Sequence, residues 1–193
     1  MKKRNFLLSI IALSVILLNG CCELRILTIN ASVGGCTITG SPSWDFGLGG
    51  SAGVGACLAD ISEYMALSGE ANLSLQGARW EDYGYSGRTN LLYFNVPVLL
   101  RYQTESGFFG EAGIQPGLLL SAKDKYEGHS DNYMDHMNKL DLSIPFGAGY
   151  MFNENLGVSL RVTPGINDIS KDADDKDRNL VIGLRGIYRF GKK

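Results

Sequence analysis

The sequence predicts an all-β fold: an eight-stranded antiparallel up-and-down transmembrane β-barrel that follows a signal peptide. Three observations carry that expectation. About eight stretches alternate apolar and polar residues with period two. The linkers between them alternate long and short. The apolar faces of the second to eighth stretches hold no charge, whereas the opposite faces hold glycine and charges of both signs.

The leader comes first. Met1-Lys2-Lys3-Arg4-Asn5 is followed by a mostly apolar run from Phe6 to Leu18, the charge distribution of a signal peptide over residues 1–20. The run is shorter than the roughly 18 apolar residues a spanning helix needs, and nothing downstream supplies another, so later membrane contact is expected from strands. Asn19 and Gly20 precede Cys21 in a pattern that resembles a lipobox. Asn19 is unusual there and Leu18 is large for an ordinary signal-peptidase site, so lipidation of Cys21 and plain cleavage both stand. Residues 21–193 are expected to form one barrel domain. Losing Lys2, Lys3 and Arg4 with the leader takes the formal charge from −2 to −5, and nothing points to nucleic acid.

Strands are expected at 25–34, 44–58, 65–78, 90–103, 108–120, 141–152, 156–167 and 179–190. The first is irregular. The second carries Gly47, Gly49, Ser51, Gly53 and Gly55 on one face, small residues suited to a narrow interior. The third ends in a long linker and begins after a short turn, Asp60 to Glu63. In the fourth, Leu92, Phe94, Val96, Val98, Leu100 and Tyr102 share a face opposite Tyr93, Asn95, Pro97, Leu99, Arg101 and Gln103. The turn Thr104 to Gly107 leads to the fifth, and Asn153 to Asn155 joins the sixth to the seventh. The seventh sets Leu156, Val158, Leu160, Val162, Pro164 and Ile166 against Gly157, Ser159, Arg161, Thr163, Gly165 and Asn167. The eighth repeats this through Leu180, Ile182, Leu184, Gly186, Tyr188 and Phe190.

Alternation alone does not say which face is inside, because a soluble lipocalin-like barrel buries its apolar face. The uncharged apolar faces and small-residue polar faces favour the inverted arrangement. So do Tyr102, Phe108, Tyr150, Phe152, Tyr188 and Phe190, which would form an aromatic girdle at the periplasmic interface. Pro97, Pro116, Pro145 and Pro164 fall inside the expected strands, where bulges or pairing breaks are expected. Cys36, placed in the loop before the second strand, and Cys57, at that strand's far end, are expected to be too far apart for a disulfide.

The stretch Tyr93-Phe94-Asn95-Val96-Pro97-Val98-Leu99-Leu100-Arg101-Tyr102, the run from Gly110 to Lys123 and the closing Ile187-Tyr188-Arg189-Phe190 resemble the PorT-type outer-membrane β-barrel family of Bacteroidetes, often labelled "porin family". The resemblance covers roughly residues 44 to 190. It implies a bacterial outer-membrane location, contact with outer-membrane lipid, insertion by the barrel-assembly machinery and an extracellular or secretion-related protein partner. One departure is that Gly191, Lys192 and Lys193 follow the final aromatic, Phe190.

On the inward faces the reading places Glu70, Arg101, Glu111, Asp141, Arg161, Arg185 and Arg189. With a hairpin pivoting at Ser106, Arg101 falls opposite Glu111, and a buried salt bridge is expected. The seven charges either satisfy one another and fill the lumen or line a narrow pore for small solutes. Eight strands leave room for little more than side chains, which favours the first. Trp80, Tyr83 and Tyr85 make the external loop 79–88 a candidate partner-binding surface. His129 and His136, with Asp131 and Asp135, match no strong metal pattern and read as a solvated loop, as do Asp172, Asp174, Asp175 and Asp177. No metal site, cofactor or catalytic set emerges, since both histidines share one loop. The expected function is a non-enzymatic barrel with a structural or interaction role; the alternatives are the narrow channel and a soluble, lipid-anchored barrel that binds an apolar ligand.

Overall fold

The alternating segments pair in chain order and close on themselves. A computed structural model describes residues 27–40, 43–82, 85–126, 129–171 and 176–190; the leader, Cys21, Tyr83, Asp172, Asp174 and Asp175 lie outside them. The strands are β1 (Leu27–Thr39), β2 (Trp44–Asp45), β3 (Gly47–Asp60), β4 (Met65–Asp82), β5 (Tyr85–Asn95), β6 (Val98–Gln103), β7 (Phe108–Tyr126), β8 (His129–Asn132), β9 (Leu140–Ser143), β10 (Phe146–Met151), β11 (Leu156–Pro164) and β12 (Arg178–Phe190). They make eight antiparallel spans: β1, β3, β4, β5 with β6, β7, β9 with β10, β11, and β12. β1 pairs with both β3 and β12, which closes the ring, while β2 and β8 extend the wall beside β4 and β7.

The register fixes the barrel's shape. Following Cα partners from Leu27 through Ala56, Gly69, Val98 and Ile114, and then through Ile144, Pro164 and Leu180, returns to β1 at Thr37, ten residues on. Eight spans with that shear tilt the strands by about 40° and give a backbone radius of about 8 Å. Across its middle such a tube has room for little more than side chains.

The faces hold throughout. Leu73, Leu75, Phe94, Val96, Leu100, Ile114, Leu118, Leu160 and Leu184 point outward and are exposed, while Asn30, Asn72, Gln76, Thr89, Gln115 and Ser159 are buried inside. An exposed apolar exterior over a polar interior is the inverted arrangement and overturns the soluble apolar-ligand barrel. From Tyr102 to Leu92 the outward apolar band rises about 25 Å along the axis, the height of a membrane barrel's lipid belt. Its lower edge is the girdle: Phe108 packs 4.8 Å from Tyr150, Tyr150 lies 5.6 Å from Phe152, and Tyr188 lies 4.9 Å from Phe190. The short turns end here, one of them on Gly107, whose φ of 94° suits glycine.

Boundaries differ from the sequence reading in informative ways. β1 runs to Thr39, so Cys36 lies within a strand, buried, and neither Cys36 nor Cys57 is in a disulfide. β4 and β7 continue to Asp82 and Tyr126, because their upper ends still find ladder partners in β5 and β8. The prolines divide. Val96-Pro97 and Ile144-Pro145 interrupt their spans as expected, but Pro116 sits in continuous β7 opposite Leu142 and Pro164 closes β11. Neighbouring carbonyls keep working: Pro97 accepts from the Glu70 amide at 2.9 Å and Pro145 from Gly113 at 3.0 Å. The register shifts fall away from proline, at Cys57/Ala59 and Leu92/Tyr93.

Candidate functional site

Five charged side chains cross the lumen in its lower half. Strand parity turns Glu70 of β4, Arg101 of β6, Glu111 of β7, Arg161 of β11 and Arg185 of β12 inward, and the ten-residue shear brings their different strand positions to a common depth. Arg161 donates to both oxygens of Glu70, Nη1 to Oε2 at 2.9 Å and Nη2 to Oε1 at 3.0 Å, and its Nε donates to Glu111 Oε1 at 2.9 Å. Arg185 also spans both carboxylates, at 3.0 Å from Glu70 Oε1 and 3.1 Å from Glu111 Oε1. Arg101, directly opposite Glu111, binds its Oε2 through Nη2 at 2.6 Å and lies 4.5 Å from the Phe109 ring centroid. Asn72 adds a hydrogen bond to Glu70 Oε2 at 2.9 Å. Bidentate guanidinium–carboxylate pairing between buried groups is directional and strong, so the network braces five strands against one another.

Glycine makes the space for it. A Cβ on Gly53 would stand 2.0 Å from Asn72 Oδ1 and 2.3 Å from the Ala71 carbonyl. Gly53 therefore leaves room for the side chain of Asn72 on the neighbouring strand, which in turn holds Glu70.

Two charges expected in this group lie elsewhere. Asp141 faces inward, but the climbing register puts it about 14 Å nearer the external end than Glu70. There it accepts from Asn179 Nδ2 at 3.0 Å and Ser143 Oγ at 3.4 Å, while Asn179 also reaches the Tyr93 hydroxyl at 3.2 Å. Arg189 sits below the network and donates to Gln103 Oε1 at 2.8 Å, with no ion pair to a described residue. With Arg101, Glu70, Asp60 and Glu63 it lines a cavity of about 630 Å³ at the end where the short turns lie. At its lip Tyr64 donates to Glu105 at 2.9 Å, and holding that hydroxyl hydrogen against a carboxylate lifts the phenol above its ordinary range.

The other end is closed by apolar side chains. Ile38, Ala78, Leu91, Tyr93, Leu119 and Ala122 meet Met137 and Ile169 from the two long loops, with Trp44, Tyr133 and Met134 packed against them. The loops are stitched to each other: the Asn138 amide donates to the Ile169 carbonyl at 2.8 Å and Lys171 to His136 at 2.9 Å. The linker leaves His129 and His136 exposed to solvent, while Met137 packs beneath them into the barrel mouth. The signal for that packing was present in Met134 and Met137, apolar residues in an otherwise polar linker. His136 stacks on Tyr133 at 5.1 Å and His129 lies tilted against Tyr126 at 6.2 Å, and the described residues contain no metal-binding cluster.

Of the external aromatics, Trp80 turns inward and donates its indole N–H to Asp124 at 2.9 Å, so it anchors the rim; Tyr85 is exposed, and Tyr83 lies outside the described residues.

The profile of the family described as outer membrane protein beta-barrel domain matches residues 28–171. No curated protein matches the sequence. Among solved structures, the Neisserial surface protein A is similar with a TM-score of 0.64 at 14% identity, over 85% of this chain and 97% of that one. The outer membrane enzyme PagL is similar at 0.49 and 17% identity, over 83% and 97%. Ail, the attachment invasion locus protein of Yersinia pestis, is similar at 0.48 and 14% identity, over 87% and 100%. At these identities the first comparison speaks to fold alone, and the other two carry no argument.

Proposed function

This chain belongs to the outer membrane protein beta-barrel domain family, an integral part of the bacterial outer membrane, and on that footing we propose that it is a non-conducting, non-enzymatic barrel acting through its rims and loops. The single observation that carries the reading is the Arg–Glu network across the lumen, in which Glu70 and Glu111 are each held by at least two arginines. Moving an ion past it would break bonds between desolvated charges. The apolar closure around Met137 and Ile169 supports the same conclusion at the external end. The exposed position of both histidines, in the external β8 segment and the turn after it, favours a role other than acyl chemistry. Within the family the chain reads as PorT-type on Tyr93–Tyr102 and Gly110–Lys123, with an extracellular or secretion-related protein engaging loops such as that of Tyr85.

The test is single-channel recording of the mature barrel refolded into a planar bilayer, with heat-shifted gel migration reporting that it is folded. A folded, silent barrel is the expected result. Discrete ion-dependent steps would overturn the reading and make Arg101, Arg161 and Arg185 selectivity groups.

A further inference from the structure

Above the lipid belt, the outward face of three neighbouring spans turns cationic. Arg79 on β4 lies directly opposite Arg88 on β5, and Arg88 directly opposite Lys125 on β7. Like charges set face to face across a ladder destabilise it unless an anion lies between them. Asp45 on β2 stands directly opposite Arg79 on its other side but makes no ion pair with it, so one acidic residue shares the row with three cations. The Arg79 and Lys125 side chains make no hydrogen bond or ion pair with the described residues, and the Arg88 side chain reaches only the Leu48 carbonyl.

These three side chains wall a cleft of about 760 Å³. Its other lining includes Phe46 and Leu48, exposed by 56% and 65%, with Asp45 and Glu81 as its acidic members. By the barrel's register Leu48 stands at the top edge of the apolar band, while the backbones of Arg79, Arg88 and Lys125 climb from about 8 to about 14 Å above that edge. Their long outward side chains overhang the headgroup layer from there. The cleft thus has an apolar part continuous with lipid and a cationic part above it, within side-chain reach of the headgroups.

We propose that this cleft binds a phosphate-bearing lipid of the outer leaflet, its phosphate among Arg79, Arg88 and Lys125 and an acyl chain against Phe46 and Leu48. Guanidinium groups match phosphate oxygens in geometry as well as charge. A bound phosphate also relieves the face-to-face cations, so lipid binding and rim stability are linked. A free anion would use the cations but gain nothing from the apolar residues beneath them, which is why a lipid is the better fit.

The test titrates the mature barrel in detergent with diphosphorylated lipid A and counts bound lipid by native mass spectrometry. Wild type is expected to hold the lipid, and R79Q/R88Q/K125Q to bind on the order of 100-fold more weakly, from about 1 kcal/mol per cation near a charged lipid surface. The R178Q variant, changed on the outward face of β12 across the barrel, is expected to match wild type. Equal binding of dephosphorylated lipid A, equal binding by the triple variant, or displacement by equimolar inorganic phosphate would each overturn the proposal. Heat-shifted migration verifies folding. If the triple variant does not fold, R79Q and K125Q singly read the same loss at about fivefold each, and an unchanged affinity in both overturns it.

Discussion

Replacing Glu111 with leucine should be the most damaging single change inside the lumen. The side chain is 0% exposed and takes contacts from three arginines: Arg101 at 2.6 Å, Arg185 at 3.1 Å, and Arg161 through both Nε and Nη2. Without it, Glu70 alone faces Arg161 and Arg185, and Arg101 has no carboxylate. Stranding buried charge in this way costs about 3–5 kcal/mol. The lower end of that range applies, because Arg101 is 12% exposed towards the cavity below and can recover water there, and Arg161 and Arg185 keep Glu70. Arg101→Leu is a control of the same charge magnitude. It leaves Glu111 held by two arginines and the core group balanced, so its expected cost is about 1 kcal/mol. The assay is urea unfolding of the barrel in lipid vesicles, followed by heat-shifted migration. A loss below about 1 kcal/mol for Glu111→Leu, or equal losses for the two variants, would mean that water screens the lumen as it screens surface pairs and would refute the argument.

Three further outcomes follow from the same geometry. Val96→Arg puts a charge near the middle of the lipid belt and should cost about 2–4 kcal/mol by the same unfolding assay, whereas a cost under 1 would move the belt. Gly53→Ala should destabilise by about 1–3 kcal/mol through the Asn72 and Ala71 clash, while Gly186→Ala, with nothing within 4 Å of its new methyl, should stay within about 0.5 kcal/mol. Ile169→Ala empties a fully buried position of the external closure and should cost about 2–5 kcal/mol where the closure unfolds with the barrel. Its direct readout is faster proteolysis of the 127–139 loop, and an unchanged rate would show that Ile169 does not hold that loop down.

Much of this was legible residue by residue. The alternation of Leu92 to Tyr102 and of Leu156 to Ile166 assigned the faces, because side chains in a strand point to opposite sides whatever the strand pairs with. The contact of Arg101 with Glu111 was also legible, since a short hairpin fixes its own register. Asp141 shows where that reasoning stops. Its parity was right, but its height depends on the register of non-adjacent spans, which no local pattern states. The ordered loop around Met137 and Ile169 escaped for a related reason: its packing partners come from β1, β4, β5 and β7, far away in sequence.

The sequence by itself determined that eight spans would form, which side of each would meet lipid, and that the interior would be polar and crowded. These follow from period-two chemistry and from the cost of charge in hydrocarbon, both of which act on each strand alone. Only the tertiary structure decided which charges meet, which end of the lumen is closed, and that Arg79, Arg88 and Lys125 stand in one row above the lipid belt. Those outcomes depend on the shear of the closed ring, ten residues over eight spans. Shear is a property of closure, set when β12 finds β1, and no single strand carries it.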